Sequence, residues 1–131
     1  MATNLEILNN TLALLNADEQ QILKDAINYG SWGDAEVDFK APDCIGGAYG
    51  YGYCTNDAAR AGHFAGRQRS ALFRSVYRKL GILGKGWGSN ENFYYCNDWW
   101  GDGSGDMFFI RGRKDADGKR LYEVFEEWAR M

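Results

Sequence analysis

Apolar residues recur along this chain at two periods, and glycine or a capping side chain marks most of the boundaries between them. Leu5, Leu8, Leu12 and Leu15 repeat every three or four positions, as do Ile22, Leu23, Ala26 and Ile27, which predicts two opening amphipathic helices. Thr3 stands three residues before Glu6 and Asn16 three before Glu19, the spacing that marks a helix start, and Gly30 supplies a stop. Glu36-Val37-Asp38-Phe39 alternates polar and apolar, so a short strand is expected there. From Pro42 to Tyr53 glycines are so frequent that irregular structure is expected, and the role of the Gly/Tyr run 46–53 stays open.

Further along, Thr55 or Asn56 can cap a short helix over Asp57 to Ala61 that Gly62 ends, and a longer helix is predicted from about Ala65 to Leu80, stopped by Gly81. Phe93–Cys96 and Met107–Arg111 are aromatic runs flanking a tip rich in Gly, Asp and Asn, which predicts a β-hairpin. After a turn at Asp115-Ala116-Asp117-Gly118, Leu121, Val124, Phe125 and Trp128 stand at i, i+3, i+4 and i+7, so a final helix is expected within Lys119–Met131.

A chain of 131 residues with one proline and no long polar tract reads as one domain over 1–131. MATNLEILNN lacks the basic start and apolar run of a signal peptide, and no stretch is apolar enough for a membrane span, so a cytosolic protein without a membrane partner is expected. Cys44, Cys54 and Cys96 are odd in number and irregular in spacing, which favours free thiols over a disulfide framework.

Charge changes the picture. From Arg60 to Asn90 there are seven basic side chains and no acid, whereas residues 1–59 carry two Lys/Arg against nine Asp/Glu and residues 91–131 carry six against nine. An acid-free basic segment on an acidic chain attracts polyanions or acidic partners. On a helical wheel Arg74 and Arg78 fall within about 20° of Arg67 and Ser70 about 60° away, with Leu72, Phe73, Val76 and Leu80 opposite. Arg69 and Lys79 fall off this stripe and are assigned to packing or the flanks.

The predicted order of helix, helix, short strand, short helix, basic helix, hairpin and helix resembles the winged helix-turn-helix proteins, and more loosely the MarR-like repressors, over about Ala17 to Gly112. The segment Arg67-Gln68-Arg69-Ser70-Ala71-Leu72-Phe73-Arg74-Ser75-Val76-Tyr77-Arg78-Lys79-Leu80-Gly81-Ile82-Leu83 is similar to a recognition helix running into a wing. The resemblance implies an α+β, mainly helical winged-helix domain with a β-hairpin wing and extra N- and C-terminal helices. It also implies a regulatory protein that binds double-stranded DNA, with the second helix of the motif in the major groove. Arg67, Arg69, Arg74 and Arg78 are then candidate phosphate contacts, and Gln68 and Ser70 candidates for base edges. A homodimer would suit paired half-sites, with the first and last helices as its elements where the core does not consume them. The tip departs from a phosphate-binding wing: Asp98, Asp102 and Asp106 are acidic and no Lys or Arg accompanies them.

A second class stays open. With Trp99 and Trp100 exposed at the tip, the same domain would be an interaction or inhibitor module, of the kind small bacteriophage or mobile-element proteins use against a host protein. Catalytic chemistry finds little support, and neither cofactor nor metal is expected. His63 has no nucleophile motif beside it, and Cys44, Cys54, Cys96 and His63 include no C-x2-C pair for zinc. Residues 46–52 lack the Lys-Ser/Thr of a phosphate loop, and 115–118 lack the remaining ligands of a calcium loop.

Overall fold

Thr3 and Asn16 both act as the helix starts their spacing predicts. The Thr3 hydroxyl accepts from the Glu6 N–H at 3.1 Å and opens α1 (Asn4–Leu14), and Asn16 with Glu19 forms a complete capping box at the head of α2 (Ala17–Tyr29). The computed structural model describes residues 2–32, 50–98, 101–102 and 105–131. The remaining elements are β1 (Ser31–Trp32), β2 (Gly50–Cys54), a 3-10 helix (Thr55–Ala61), α3 (Gly66–Lys79), β3 (Trp87–Ser89), β4 (Phe93–Cys96), β5 (Met107–Arg111) and α4 (Leu121–Ala129). The strand expected over Glu36–Phe39, most of the Gly/Tyr run, Cys44 and the Trp99–Trp100 pair lie outside the described residues.

This is an α+β fold: one antiparallel sheet in the order β1-β2-β5-β4-β3, with helices against one face. The hairpin of β4 and β5 has the expected strands, Phe93 opposite Ile110 and Cys96 opposite Met107. Two strands depart from the sequence reading. Gly50-Tyr51-Gly52-Tyr53, expected to be irregular, is β2. Its glycines alternate with tyrosines at period two, so both tyrosines face the helices while the glycines lie on the other side, and β5 supplies every pairing partner from Arg111 to Met107. β3 was also missed, because Gly86 and Gly88 mask its pattern. Gly88 is required there for space, since a Cβ would overlap the Ile82 carbonyl.

Register sorts the strand side chains into two layers. Tyr53, Phe108 and Tyr95 form one row and Tyr51, Ile110 and Phe93 the next, all toward the helices. Tyr77 of α3 stacks on Tyr95 at 4.3 Å between ring centroids, and Phe125 of α4 meets Phe93 edge-on at 5.7 Å. On the opposite face Tyr94, Met107 and Phe109 form a smaller buried cluster, with Cys54 and Cys96 on either side of Met107.

In α1 the buried stripe is Asn4, Ile7, Leu8, Thr11 and then Leu15, rather than the leucines alone; Leu5 is 58% exposed. Two polar members of that stripe are satisfied internally. The Asn4 carboxamide donates to the Arg113 and Lys119 carbonyls at 2.9 Å each, and the Thr11 hydroxyl donates to the Ile7 carbonyl at 2.7 Å. The apolar face of α4 (Leu121, Val124, Phe125 and Trp128) is buried as its spacing predicts. Both terminal helices therefore pack against the core, α4 through its whole apolar face and α1 with Leu5 and Leu14 left exposed.

α2 lies at the centre, against the 3-10 helix, α3 and α4. Besides Ile22, Leu23, Ala26 and Ile27 it buries two acids, Glu19 and Asp25. Glu19 is 1% exposed and accepts from the Asn16 N–H at 2.8 Å, from Lys79 Nζ at 2.5 Å and from the Ser75 hydroxyl. Burial pushes its pKa up, but the Asn16 N–H, Lys79 and Ser75 outweigh that and hold it below the usual glutamate value of 4.5. A carboxyl depressed in this way stabilises the fold above its unfolded pKa and loses that contribution as pH falls through the folded one. Glu19→Ala is expected to lower stability at neutral pH by about 2–4 kcal/mol, through the lost cap and the lost charge-assisted bonds. Denaturant titrations of both proteins should show the gap closing on acidification below the glutamate range.

Candidate nucleic-acid interface

The basic segment folds as the wheel requires. α3 buries Phe73, Val76 and Tyr77, with Leu80 buried just after its end, while Arg67, Gln68, Ser70, Arg74 and Arg78 are exposed. Gly81 then takes a left-handed φ of 77° and ends the helix. Ahead of α3, the 3-10 helix ends at Gly62 with φ 73°, as expected, but Cys54 rather than Thr55 or Asn56 stands at its N-cap.

The turn into α3 is moored to the body. His63 Nδ1 meets the Asp25 carboxylate at 2.9 and 3.1 Å, and Gln21 donates to the same carboxylate at 2.9 Å. Asp25 is a buried side chain on α2, so this contact fixes where the basic helix starts relative to the core. His63 thus has a partner whose sequence distance of 38 residues gave no hint of it.

The seven basic residues do not share one fate. Lys79 is tied to Glu19, Arg60 faces Asp57 at 3.6 Å, and half-buried Arg69 donates to the Phe64 carbonyl at 3.3 Å. Arg69 and Lys79 therefore serve packing, as their position off the stripe implied. Among the described residues Arg67, Arg74, Arg78 and Lys85 form no ion pair. Arg67, Arg74 and Arg78 thus share one exposed line of α3, with Ser70 about 60° and Gln68 about 100° around the helix from Arg67 and Arg69 half-buried off that line. Trp99 and Trp100 lie outside the described residues.

Beside this face is a cavity of about 280 Å³ that the sequence did not disclose. Its wall runs from Thr55 and Asn56 at the start of the 3-10 helix, across Arg69, Ser70, Phe73 and Arg74 of α3, to Tyr95, Asn97 and Asp106 on the hairpin. Backbone geometry sets the Asp106 position: its carbonyl accepts from the Thr55 N–H at 3.0 Å and from the Thr55 hydroxyl at 3.2 Å. Gly105 precedes it at φ 121°, and a Cβ there would overlap the Asn56 carboxamide. From sequence Asp106 was one more acid of the tip; only the pairing of β2 with β5 carries it against α3.

Burial pushes the Asp106 carboxyl above its ordinary value and the Asp98 charge adds to this, against the Asp98 backbone N–H and Arg74. Burial likewise raises the Tyr95 phenol, with Asp106 contributing, so it stays protonated at neutral pH. Behind the wall Tyr77 is buried, and burial, then Asp106, raise that phenol well above its ordinary value, against the Thr55 side chain.

No protein-family model, curated protein or solved structure matches the chain. Among the described residues no helix is long and apolar enough to cross a membrane, and no group of three His, Cys, Asp or Glu side chains could hold a metal ion.

A carboxyl whose folded pKa is raised contributes stability below its unfolded pKa and loses it as pH rises through the folded value. Asp106→Asn, which is neutral throughout, is therefore expected to be more stable than the parent protein at about pH 7 and equal to it at about pH 3. Urea unfolding at the two pH values measures the difference.

Proposed function

We propose that the protein is a regulatory DNA-binding protein of the winged-helix kind, with α3 as the helix that docks on duplex DNA. The observation that carries this reading is the line of exposed Arg67, Arg74 and Arg78, none of them paired with a carboxylate among the described residues, on a helix anchored by Phe73, Val76 and Tyr77. Guanidinium groups presented this way are matched to backbone phosphates, while Gln68 and Ser70 in the same exposed stretch have the donors and acceptors to read base edges. The α3 N-terminus adds to the field. Its N-cap, Ala65, makes no side-chain cap bond, so the first-turn N–H groups and the positive end of the helix dipole lie next to Arg67.

Topology supports the same reading. β2 comes before the short and the basic helix and pairs with β5, the returning strand of the hairpin, so β2, β5 and β4 close a small sheet behind the two helices. The strand that the resemblance used, Glu36–Phe39, lies outside the described residues, and in this reading β2 takes the place of a strand ahead of the two helices. The 3-10 form of the short helix and the acidic Asp98 and Asp102 distinguish this chain, and the acids favour phosphate contacts on α3 over contacts at the hairpin tip.

Fluorescence anisotropy with a labelled random-sequence duplex tests this directly. Three phosphate-neutralising arginines predict a log–log salt slope of about −2.7, and Arg67→Ala with Arg74→Ala should flatten it by about 1.8. Absence of binding at low salt, or a slope the double variant does not change, would rule out α3 as the docking helix and turn attention to a protein partner.

A further inference from the structure

The cavity beside α3 has walls of opposite charge that do not neutralise each other. Arg74 of α3 and Asp106 of the hairpin both line the same 280 Å³, yet the two form no ion pair within 4 Å. Arg69 lines it too, with its guanidinium donating to the Phe64 carbonyl at 3.3 Å. The Asp106 backbone is held by the two hydrogen bonds that its carbonyl accepts from Thr55. Phe73 and Tyr95 supply apolar wall, and Asn56, Asn97, Ser70 and Thr55 a ring of hydrogen-bonding groups. The volume falls just under the ~300–1,000 Å³ of sites for drug-sized molecules, so a smaller ligand is indicated.

Charge decides its class. A simple anion such as phosphate would be drawn to the two arginines but leave the Asp106 carboxyl facing it, and a simple amine would meet Asp106 but face the arginines. A molecule bearing both charges a few bonds apart is attracted to both walls and replaces the solvation that each loses in the cavity. We propose that the cavity is a binding site for a free α-amino acid, its carboxylate on Arg74, its ammonium on Asp106 and its side chain against Phe73 and Tyr95. Where α3 docks DNA as proposed above, an occupied cavity engages Arg74 and lies against Ser70, so the amino acid competes for part of the docking face and weakens DNA binding.

Calorimetric titration of the full chain with each of the twenty L-amino acids, without DNA, tests the site separately from the DNA-binding reading. At least one is expected to bind saturably and one-to-one. Its deaminated acid and its decarboxylated amine should each bind at least about tenfold more weakly, the loss of one charge-assisted contact. Asp106→Asn and Arg74→Gln should weaken the parent amino acid to a similar degree. Arg74 is an exposed helix residue, so its variant keeps the fold, and the analogue comparison needs no variant at all. The proposal is overturned when no amino acid binds at about 10 mM, a concentration that would fill even a weak site. It is equally overturned when an analogue lacking either charge binds as tightly as its parent, or when both variants leave the affinity unchanged.

Discussion

The buried carboxylate of Glu19 holds the two halves of this molecule in register. One oxygen closes the capping box of α2 and meets the Lys79 ammonium, while the other receives the Ser75 hydroxyl, so the head of the central helix and the tail of the basic helix share one anchor. An acid at 1% exposure is costly unless every lone pair has a partner, and here the partners come from two elements far apart in sequence. His63 on Asp25 repeats the arrangement at the other end of α3. α3 is therefore fixed at both ends by acids of α2, which leaves Arg67, Arg74 and Arg78 along its length without carboxylate partners among the described residues.

Those two acids also account for the charge distribution. Residues 60–90 contain no acid, and the two carboxylates that α3 and the turn before it require are lent by α2. Among the described residues, the carboxylate contacts of this segment are confined to Lys79, His63 and Arg60, which leaves the stripe clear.

Much of the helical layer was legible because capping and period leave a local trace. Thr3, Asn16, Gly62 and Gly81 mark the boundaries they were expected to mark, and the Arg67–Arg74–Arg78 line followed from angle alone. Where the reading slipped, side-chain type was given more weight than position. Leucines were chosen over Asn4 and Thr11 in α1, because a polar residue becomes a good core residue only once distant carbonyls or its own helix satisfy it. Glycine frequency predicts irregular structure up to Tyr53, whereas β2 uses its glycines on the face away from the helices; in β3, which no local pattern announces, Gly88 is needed for close passage over Ile82. The cavity was invisible for a different reason: Thr55, Arg74 and Asp106 meet only through strand pairing, and nothing local to any of them records the others.

The row Cys54, Met107, Cys96 carries a consequence for redox chemistry. Neither sulfur is in a disulfide among the described residues, both flank the same methionine, and β5 separates them. Two strand spacings put their backbones about 9.6 Å apart, beyond the ~7 Å limit for a disulfide. Oxidation cannot staple β2 to β4 in the native sheet, so a crosslink between these two sulfurs within one chain would record a molecule whose central strand had already come out.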